Sequence, residues 1–276
     1  MFDQTAIYSI SQKEFEKFQE LIYQKCGISL ADSKRSMLLS RLVRRVRTLQ
    51  MDNLTTYYNY VTRVSNKAEL ETMLDLVSTN KTFFFREIHH FEFLKKEIVP
   101  ALGKSKHLRI WSAACSTGEE PYSIAMTLID GISKINQWKI KIYASDLSTE
   151  ALRHAKEGIY SKSVVQDIPE KLVKICLLKG TGENEKQIKL KDHVRSMVTF
   201  MHHNLMDQKP PFEALLDVIF CRNVLIYFDK RTQEKLISKF FQHLKPGGFL
   251  LIGHSESLQY IKNQLTYILP TVYQKQ

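Results

Sequence analysis

With 276 residues, 43% of them apolar and 25% charged, the chain has room for one large domain or two unequal ones and has the composition of an ordinary globular protein, which excludes the disordered and fibrous classes. No apolar run nears the roughly eighteen residues of a membrane span, and residues 1–10 carry Asp3 without the basic start of an export signal, so the expected location is the cytoplasm. A formal net charge of +11 predicts attraction to an acidic partner, and charge alone leaves nucleic acid, anionic membrane and acidic protein all open.

Residues 11–78 read as helical throughout. Ser11-Gln12-Lys13-Glu14 has the pattern of a capping box, Phe15, Phe18, Leu21 and Ile22 follow at helical spacing, and Gly27 is a natural stop. Leu38, Leu39, Leu42, Val43, Val46 and Leu49 mark a second amphipathic helix, with further helical patterns at 57–64 and 70–77. The second helix carries Lys34, Arg35, Arg41, Arg44, Arg45 and Arg47 with no acidic residue after Asp32, which predicts a strongly positive outer face.

From residue 108 the pattern changes to short apolar runs alternating with helical stretches, the signature of a parallel sheet flanked by helices. Strands are expected at 108–113, 140–145, 198–203, 217–222 and 249–253, and helices at 120–132, 149–157 and 231–244, the last ending before Pro246-Gly247-Gly248. The class is a doubly wound α/β domain. Residues 161–196 exceed an ordinary connection and contain a Gly180-Thr181-Gly182 turn before alternating Gln187-Ile188-Lys189-Leu190-Lys191, which reads as an inserted antiparallel subdomain. Residues 266–273 are expected to close the sheet edge.

Cys26, Cys115, Cys176 and Cys221 stand singly among apolar neighbours, as reduced thiols of a cytosolic protein would. His89-His90 and His202-His203 invite a metal reading, but adjacent side chains diverge on a helix or strand, and no metal is expected.

In open α/β sheets the turn after the first strand grips the cofactor. Here it is Ala113-Ala114-Cys115-Ser116-Thr117-Gly118, followed by Glu119-Glu120. Neither the glycine spacing of a dinucleotide site nor the glycines with Lys and Ser or Thr of a phosphate loop is present, and the acidic pair opposes phosphate. A carboxylate suits the cationic amino group of S-adenosylmethionine better. Asp146, ending the second strand, is placed to accept the ribose hydroxyls of an adenosine ligand, or to cap the helix that starts near Ser148 and Thr149.

Taken together, six blocks in order resemble the CheR-type chemotaxis receptor glutamate methyltransferases. They are Thr79-Asn80-Lys81-Thr82-Phe83-Phe84-Phe85-Arg86-Glu87, residues 111–123, Ala144-Ser145-Asp146, His203-Asn204-Leu205, residues 220–229 with Arg222-Asn223 and Tyr227, and Gly253-His254-Ser255-Glu256-Ser257. The resemblance implies an all-helical N-terminal domain (1–78), a linker with the first cofactor-contacting segment (79–107) and a Rossmann-like methyltransferase domain (108–276) interrupted by the 161–196 β-subdomain. It implies methyl transfer from S-adenosylmethionine to receptor glutamates, with S-adenosylhomocysteine as product. Cofactor contacts are implied for Asn80, Thr82, Arg86, Glu120, Asp146, Asn204, Leu205, Arg222 and Asn223, and catalytic roles for Arg86 and Tyr227. Read without the family, Arg86 would be a surface ion pair with Glu87 or Glu92 and Tyr227 a core aromatic.

The same resemblance makes a chemoreceptor the expected partner, met by the basic helix, with a receptor C-terminal peptide as a second contact at the inserted hairpin. A monomer without direct membrane insertion or nucleic-acid binding is expected. The rival readings are a nucleic-acid methyltransferase, whose Asn-Pro-Pro-aromatic motif is replaced here by Asn223-Val224-Leu225-Ile226, and a catalytically weak receptor adaptor of the same fold.

Overall fold

The computed structural model describes residues 8–276; the first seven, with Asp3 of the N-terminal stretch read above, lie outside the described residues. The chain divides into two compact units, one of residues up to Thr79 joined by Tyr227–Asp229, the other of Asn80–Ile226 and Lys230–Gln276.

The first unit is helical: α1 (Gln12–Cys26), α2 (Arg35–Thr48), α3 (Leu54–Val61) and α4 (Lys67–Val77). The capping box forms as the sequence predicts, with the Glu14 amide donating to Ser11 Oγ at 3.3 Å and the Ser11 amide to Glu14 Oε2 at 3.0 Å. Gly27 ends α1 at φ 74°, in the left-handed region that a residue with a Cβ resists. Phe15, Phe18 and Ile22 of α1, Leu38, Leu42 and Val46 of α2, and Tyr57 of α3 are all fully buried, and this burial, rather than helix propensity, holds short helices together. Tyr227–Asp229 joins the unit through the Ser29 amide on the Tyr227 carbonyl (2.8 Å), a bridge between Ile28 and Phe228, and the Tyr23 hydroxyl on Asp229 (2.7 Å).

The positive face of α2 is narrower than its sequence suggests. Lys34 precedes the helix in a short 3-10 turn, Arg41 donates to the carbonyls of Val77 (2.6 Å) and Ser78 (3.0 Å), and Arg45 grips the buried Glu69 with two hydrogen bonds of 2.7 and 2.6 Å. Arg35 lies over the Phe15 ring and Arg47 over that of Tyr8, while Lys34 and Arg44 are exposed. Glu69 also accepts from the Tyr57 hydroxyl at 2.9 Å. Arg45→Ala strands this carboxylate and is expected to destabilise by about 2 kcal/mol, less than for a fully buried pair because Arg45 is partly exposed, whereas Arg44→Ala should stay within about 0.5 kcal/mol of the parent. Urea unfolding of the two variants checks the contrast.

The second unit is built on a seven-stranded sheet of order β6-β2-β1-β7-β8-β10-β9. Strands β1 (His107–Ala113), β2 (Lys139–Asp146), β6 (Val198–His202), β7 (Leu216–Cys221) and β8 (Leu244–Ile252) are parallel, and β10 (Val272–Gln274) runs antiparallel to both β8 and β9 (Thr266–Leu269). The expected edge segment is thus a hairpin. A smaller antiparallel sheet of β3 (Ile159–Ser161), β5 (Gln187–Leu190) and β4 (Leu177–Lys179) is inserted between β2 and β6, as its alternation predicts. Helices α5 (His89–Phe93), α6 (Val99–Ala101), α7 (Glu119–Gly131), α8 (Thr149–Glu157) and α11 (Lys230–His243) belong to the main sheet, and α9 (Glu170–Cys176) and α10 (Asp192–Arg195) to the insertion.

One boundary departs from the sequence reading. The fifth parallel strand, expected from 249, starts at Leu244, so Pro246-Gly247-Gly248 is part of β8, where the pairing with β7 slips from Leu216↔Leu244 to Val218↔Phe249. Gly247 donates to the Lys275 carbonyl at 2.7 Å and Gly248 accepts from the Lys275 amide at 2.9 Å. The glycines form a bulge whose backbone groups are satisfied by the C-terminal segment, a partner invisible to local turn rules.

All four cysteines are buried free thiols, and burial pushes Cys26 and Cys176 up to about 11, away from the reactive thiolate form. No helix among the described residues is long and apolar enough to cross a membrane.

Candidate active site

The strand order reverses direction between β1 and β7, with β2 on one side and β7 on the other, and a crevice beyond the carboxyl ends of strands at such a point is where open α/β sheets bind ligands. The segments that follow these strand ends hold most of the residues singled out from the sequence. After β1, Ala114 and Ser116 take left-handed backbone (φ 74° and 49°), and the amides of Ala114 and Cys115 both donate to the Ser145 carbonyl at 2.9 Å. The turn is thereby lashed to β2. Trp111 reinforces the join from within, donating to Ser145 Oγ at 2.9 Å with its ring packed edge-on to Phe212 and Phe240; it is scaffold beneath the site.

Asp146 is buried at the end of β2, where Oδ2 accepts the Ser116 amide (2.7 Å) and Oδ1 the Ser148 amide (2.9 Å). The N-cap of α8 is Ser148, whose side chain accepts the Ala151 amide at 3.1 Å. The Asp146 carboxylate ties the β1 turn to the β2 turn. Ser116 also reaches the N-terminal edge of the unit, its hydroxyl donating to the Asn80 carbonyl at 3.1 Å.

A second cluster is organised around Arg222, just past β7 and buried. Its guanidinium meets Glu120 Oε2 at 3.0 Å and Glu87 Oε2 at 3.1 Å, donates to the Arg86 carbonyl, and lies over the Phe91 ring. Glu120 also accepts from the Ser112 hydroxyl at 2.7 Å. Burial raises the Glu120 carboxyl above its ordinary range, with Arg222 and Ser112 only partly offsetting it. Glu87 shows the opposite balance: burial pushes it up, but the Arg222 charge and the hydrogen bonds it accepts outweigh burial and hold it low. Arg222 Nε is buried without a hydrogen-bond partner, a donor that a bound ligand would satisfy.

Asn223 follows in left-handed backbone (φ 59°), with its amide donating to Glu256 Oε2 at 3.0 Å and its side chain to Glu87 Oε1 at 3.2 Å. Glu256 further accepts the amides of Leu225 (2.7 Å) and Gly253 (2.5 Å). Gly253 is required by closeness: a Cβ there would stand 2.5 Å from Asn223 Nδ2 and 2.8 Å from its backbone nitrogen. The Gly253–Ser257 segment is thus a clasp on the β7 loop.

Arg86 is half-buried, donates to the Lys81 carbonyl at 3.1 Å and lies over the Phe83 ring. Among the described residues it forms no ion pair: Glu87 is taken by Arg222 and Glu92 by Lys96. Phe84 and Phe85 are buried core, while Phe83 is exposed. Thr82 is half-buried in the same segment as Asn80. Asn204 and Leu205 follow β6, where Asn204 Oδ1 accepts the Met206 amide at 3.0 Å and Lys239 donates to the Leu205 carbonyl. Tyr227 belongs to the segment grouped with the helical unit. The hydrogen bonds therefore gather Asn80, Asp146 and Ser116 into one group and Glu120, Arg86, Arg222 and Asn223 into another; Glu87, Ser112 and Glu256, absent from the sequence-based set, are integral to the second. Their one signal in the sequence is position inside the quoted blocks.

The histidine pairs behave as structure. His90 is fully buried against Thr271 Oγ1 (2.7 Å), and burial lowers it to about 2, so it stays neutral; His202 meets the Leu147 carbonyl at 2.9 Å. Among the described residues no group of three or more His, Cys, Asp or Glu is placed to hold a metal ion.

Comparison with known proteins agrees with this architecture. Residues 80–273 match the family model described as CheR methyltransferase, SAM binding domain, which makes the second unit an S-adenosylmethionine-dependent methyltransferase. Residues 13–78 match the CheR methyltransferase all-alpha domain. The chain belongs to the CheR methyltransferase family. It is 40% identical over 275 residues to the chemotaxis protein methyltransferase of Borreliella burgdorferi, covering 97% of this chain and 95% of that one. The enzymes of the same name from Salmonella typhimurium (39% over 274 residues, 99% and 93% covered) and Escherichia coli (38% over 274 residues, 99% and 94% covered) are similar at full length too. The cofactor is S-adenosylmethionine, and the site's chemistry fits it: buried carboxylates rather than a phosphate cradle, and one buried guanidinium N–H awaiting an acceptor.

Proposed function

We propose that this enzyme esterifies glutamate side chains of chemoreceptors, giving γ-methyl esters and S-adenosylhomocysteine. The observation that carries the reading is full-length similarity, helical unit included, to chemotaxis protein methyltransferases. A nucleic-acid methyltransferase or a silent adaptor finds no such support. Asn80, Thr82, Arg86, Glu120, Asp146, Asn204, Leu205, Arg222 and Asn223 hold the cofactor, which supplies a methyl group activated by its sulfonium. A glutamate with a pKa near about 4.3 is already ionised at neutral pH and needs no general base. The chain's task is to orient that carboxylate and exclude water. Arg86, with no carboxylate partner among the described residues, presents its planar fork to the acceptor, and Tyr227 is assigned a catalytic role from its matched block alone.

The test combines methyl-labelled S-adenosylmethionine with receptor-containing membranes, then mild alkali: a glutamyl ester releases volatile labelled methanol, and alkali-stable label refutes the assignment. Asp146→Ala removes the link between the β1 and β2 turns and the proposed ribose acceptor; cofactor affinity should fall about tenfold or more with a smaller change in turnover at saturating cofactor, as calorimetry and initial rates would show.

For the partner, Lys34, Arg44 and Arg47 form the basic face that meets an acidic receptor helix, with Arg35 beside them and Arg41 and Arg45 holding the helix in place. Reversing the charge of Arg44 and Arg47 together should raise the KM for receptor at low salt, with the gap from wild type closing as salt rises. Equal receptor methylation at every salt concentration would remove this face from the interface. The 161–196 subdomain is the place for a receptor C-terminal peptide added as a strand, tested by calorimetry with that peptide. The enzyme works in the cytoplasm as a monomer.

A further inference from the structure

By sequence, Glu87 is no more than a possible ion partner for its neighbour Arg86. In the fold its carboxylate gathers donors from two distant segments: Arg222 Nη2 on Oε2 at 3.1 Å, and Asn223 Nδ2 (3.2 Å) and the His254 amide (3.1 Å) on Oε1. Glu87 stands at φ 58°, a left-handed conformation that is strained for a glutamate and persists only where surrounding contacts impose it. The same turn delivers the Arg86 carbonyl to Arg222.

A carboxylate held ionised is an acceptor only, so the Asn223 group facing it must be the NH2 end. The amide is thereby barred from flipping, and its oxygen is left to accept from a ligand. S-adenosylmethionine is rich in donors, with an ammonium, two ribose hydroxyls and an exocyclic amine, so an Asn223 fixed with oxygen outward suits it and a flipped one does not. We infer that Glu87 is a positioning residue of the cofactor site, which sets the direction of the Asn223 amide. This rests on the reading of Asn223 as a cofactor contact.

The experiment is a double-mutant cycle on the full chain, with the Kd for S-adenosylhomocysteine measured by calorimetry for wild type, Glu87→Gln, Asn223→Ala and the double variant. Glu87→Gln faces Asn223 or Arg222 with an NH2 group and should weaken binding about tenfold, as loss of one oriented polar contact does. In the Asn223→Ala background the same change should weaken it no more than about threefold, because the group being oriented is gone. Equal factors in the two backgrounds would make Glu87 merely structural and overturn the inference. An Asn223→Ala variant that binds as wild type would instead refute the underlying assignment of Asn223, and the inference with it. Glu87→Asp retains the charge opposite Arg222 but shortens its reach: weaker binding at a near-parental melting temperature supports positioning, and unchanged affinity overturns it.

Discussion

Arg222→Ala should be among the most destabilising single substitutions in the catalytic unit. It removes the positive charge between Glu87 and Glu120, whose side chains are about one-tenth exposed, and breaking a buried pair by deleting one partner costs about 3–5 kcal/mol. For a unit of this size the melting temperature should fall by roughly 10 °C. The pH dependence identifies the cause. In the parent, Glu87 is held below its ordinary value, so it contributes stability above the unfolded carboxylate pKa that is lost as pH falls through its lower folded value. In the variant that contribution disappears, and Glu120, already raised by burial, is joined by an unpaired Glu87. Both then bind protons more readily folded than unfolded, so the variant gains stability relative to wild type as pH is lowered from 7 toward about 5. Thermal unfolding across that range should show the gap narrowing; a constant gap would assign the loss to packing against Phe91 instead.

Arg86→Ala should lower kcat by about 100- to 1000-fold, the range typical of losing one preorganised group that stabilises the transition state. Cofactor affinity should change far less. The guanidinium of Arg86 donates to the Lys81 carbonyl and rests on the exposed Phe83, so its removal leaves no buried charge and the fold should survive. Arg86→Lys should recover little, since an ammonium lacks the planar fork. Initial rates with receptor and calorimetry with the cofactor separate the two effects. A variant with unchanged kcat and weakened cofactor binding would make Arg86 a cofactor ligand alone.

Much of the architecture was legible because it depends on local patterning. The capping box at Ser11 is a fixed Ser-x-x-Glu pattern, 187–191 alternates with period 2, and 108–113 and 217–222 are short apolar runs buried on both faces, all of them signals confined to a few neighbouring residues. Pro246-Gly247-Gly248 reads only as the stop of the preceding helix, and its place inside β8 is not legible because its hydrogen-bond partner, Lys275, lies 27 residues beyond Gly248. Arg45 was read as surface charge because nothing in α2 announces that Glu69 is buried opposite it.

The same division runs through the site. The sequence by itself determined the chemistry available: a turn too poor in glycine and too acidic for phosphate, Asp146 closing a strand, and Arg86, Arg222, Asn223 and Tyr227 within ordered blocks. Those are properties of residue type and order, which survive without coordinates. Only the tertiary structure decided which carboxylates are spent on the protein itself. Glu87 meets Asn223 across 136 residues and Glu256 meets the same asparagine across 33, and whether a charge is solvated or buried depends on such distant neighbours. That is why Glu87 and Glu256, ordinary acidic residues by sequence, prove to be the groups that hold the β7 loop in place.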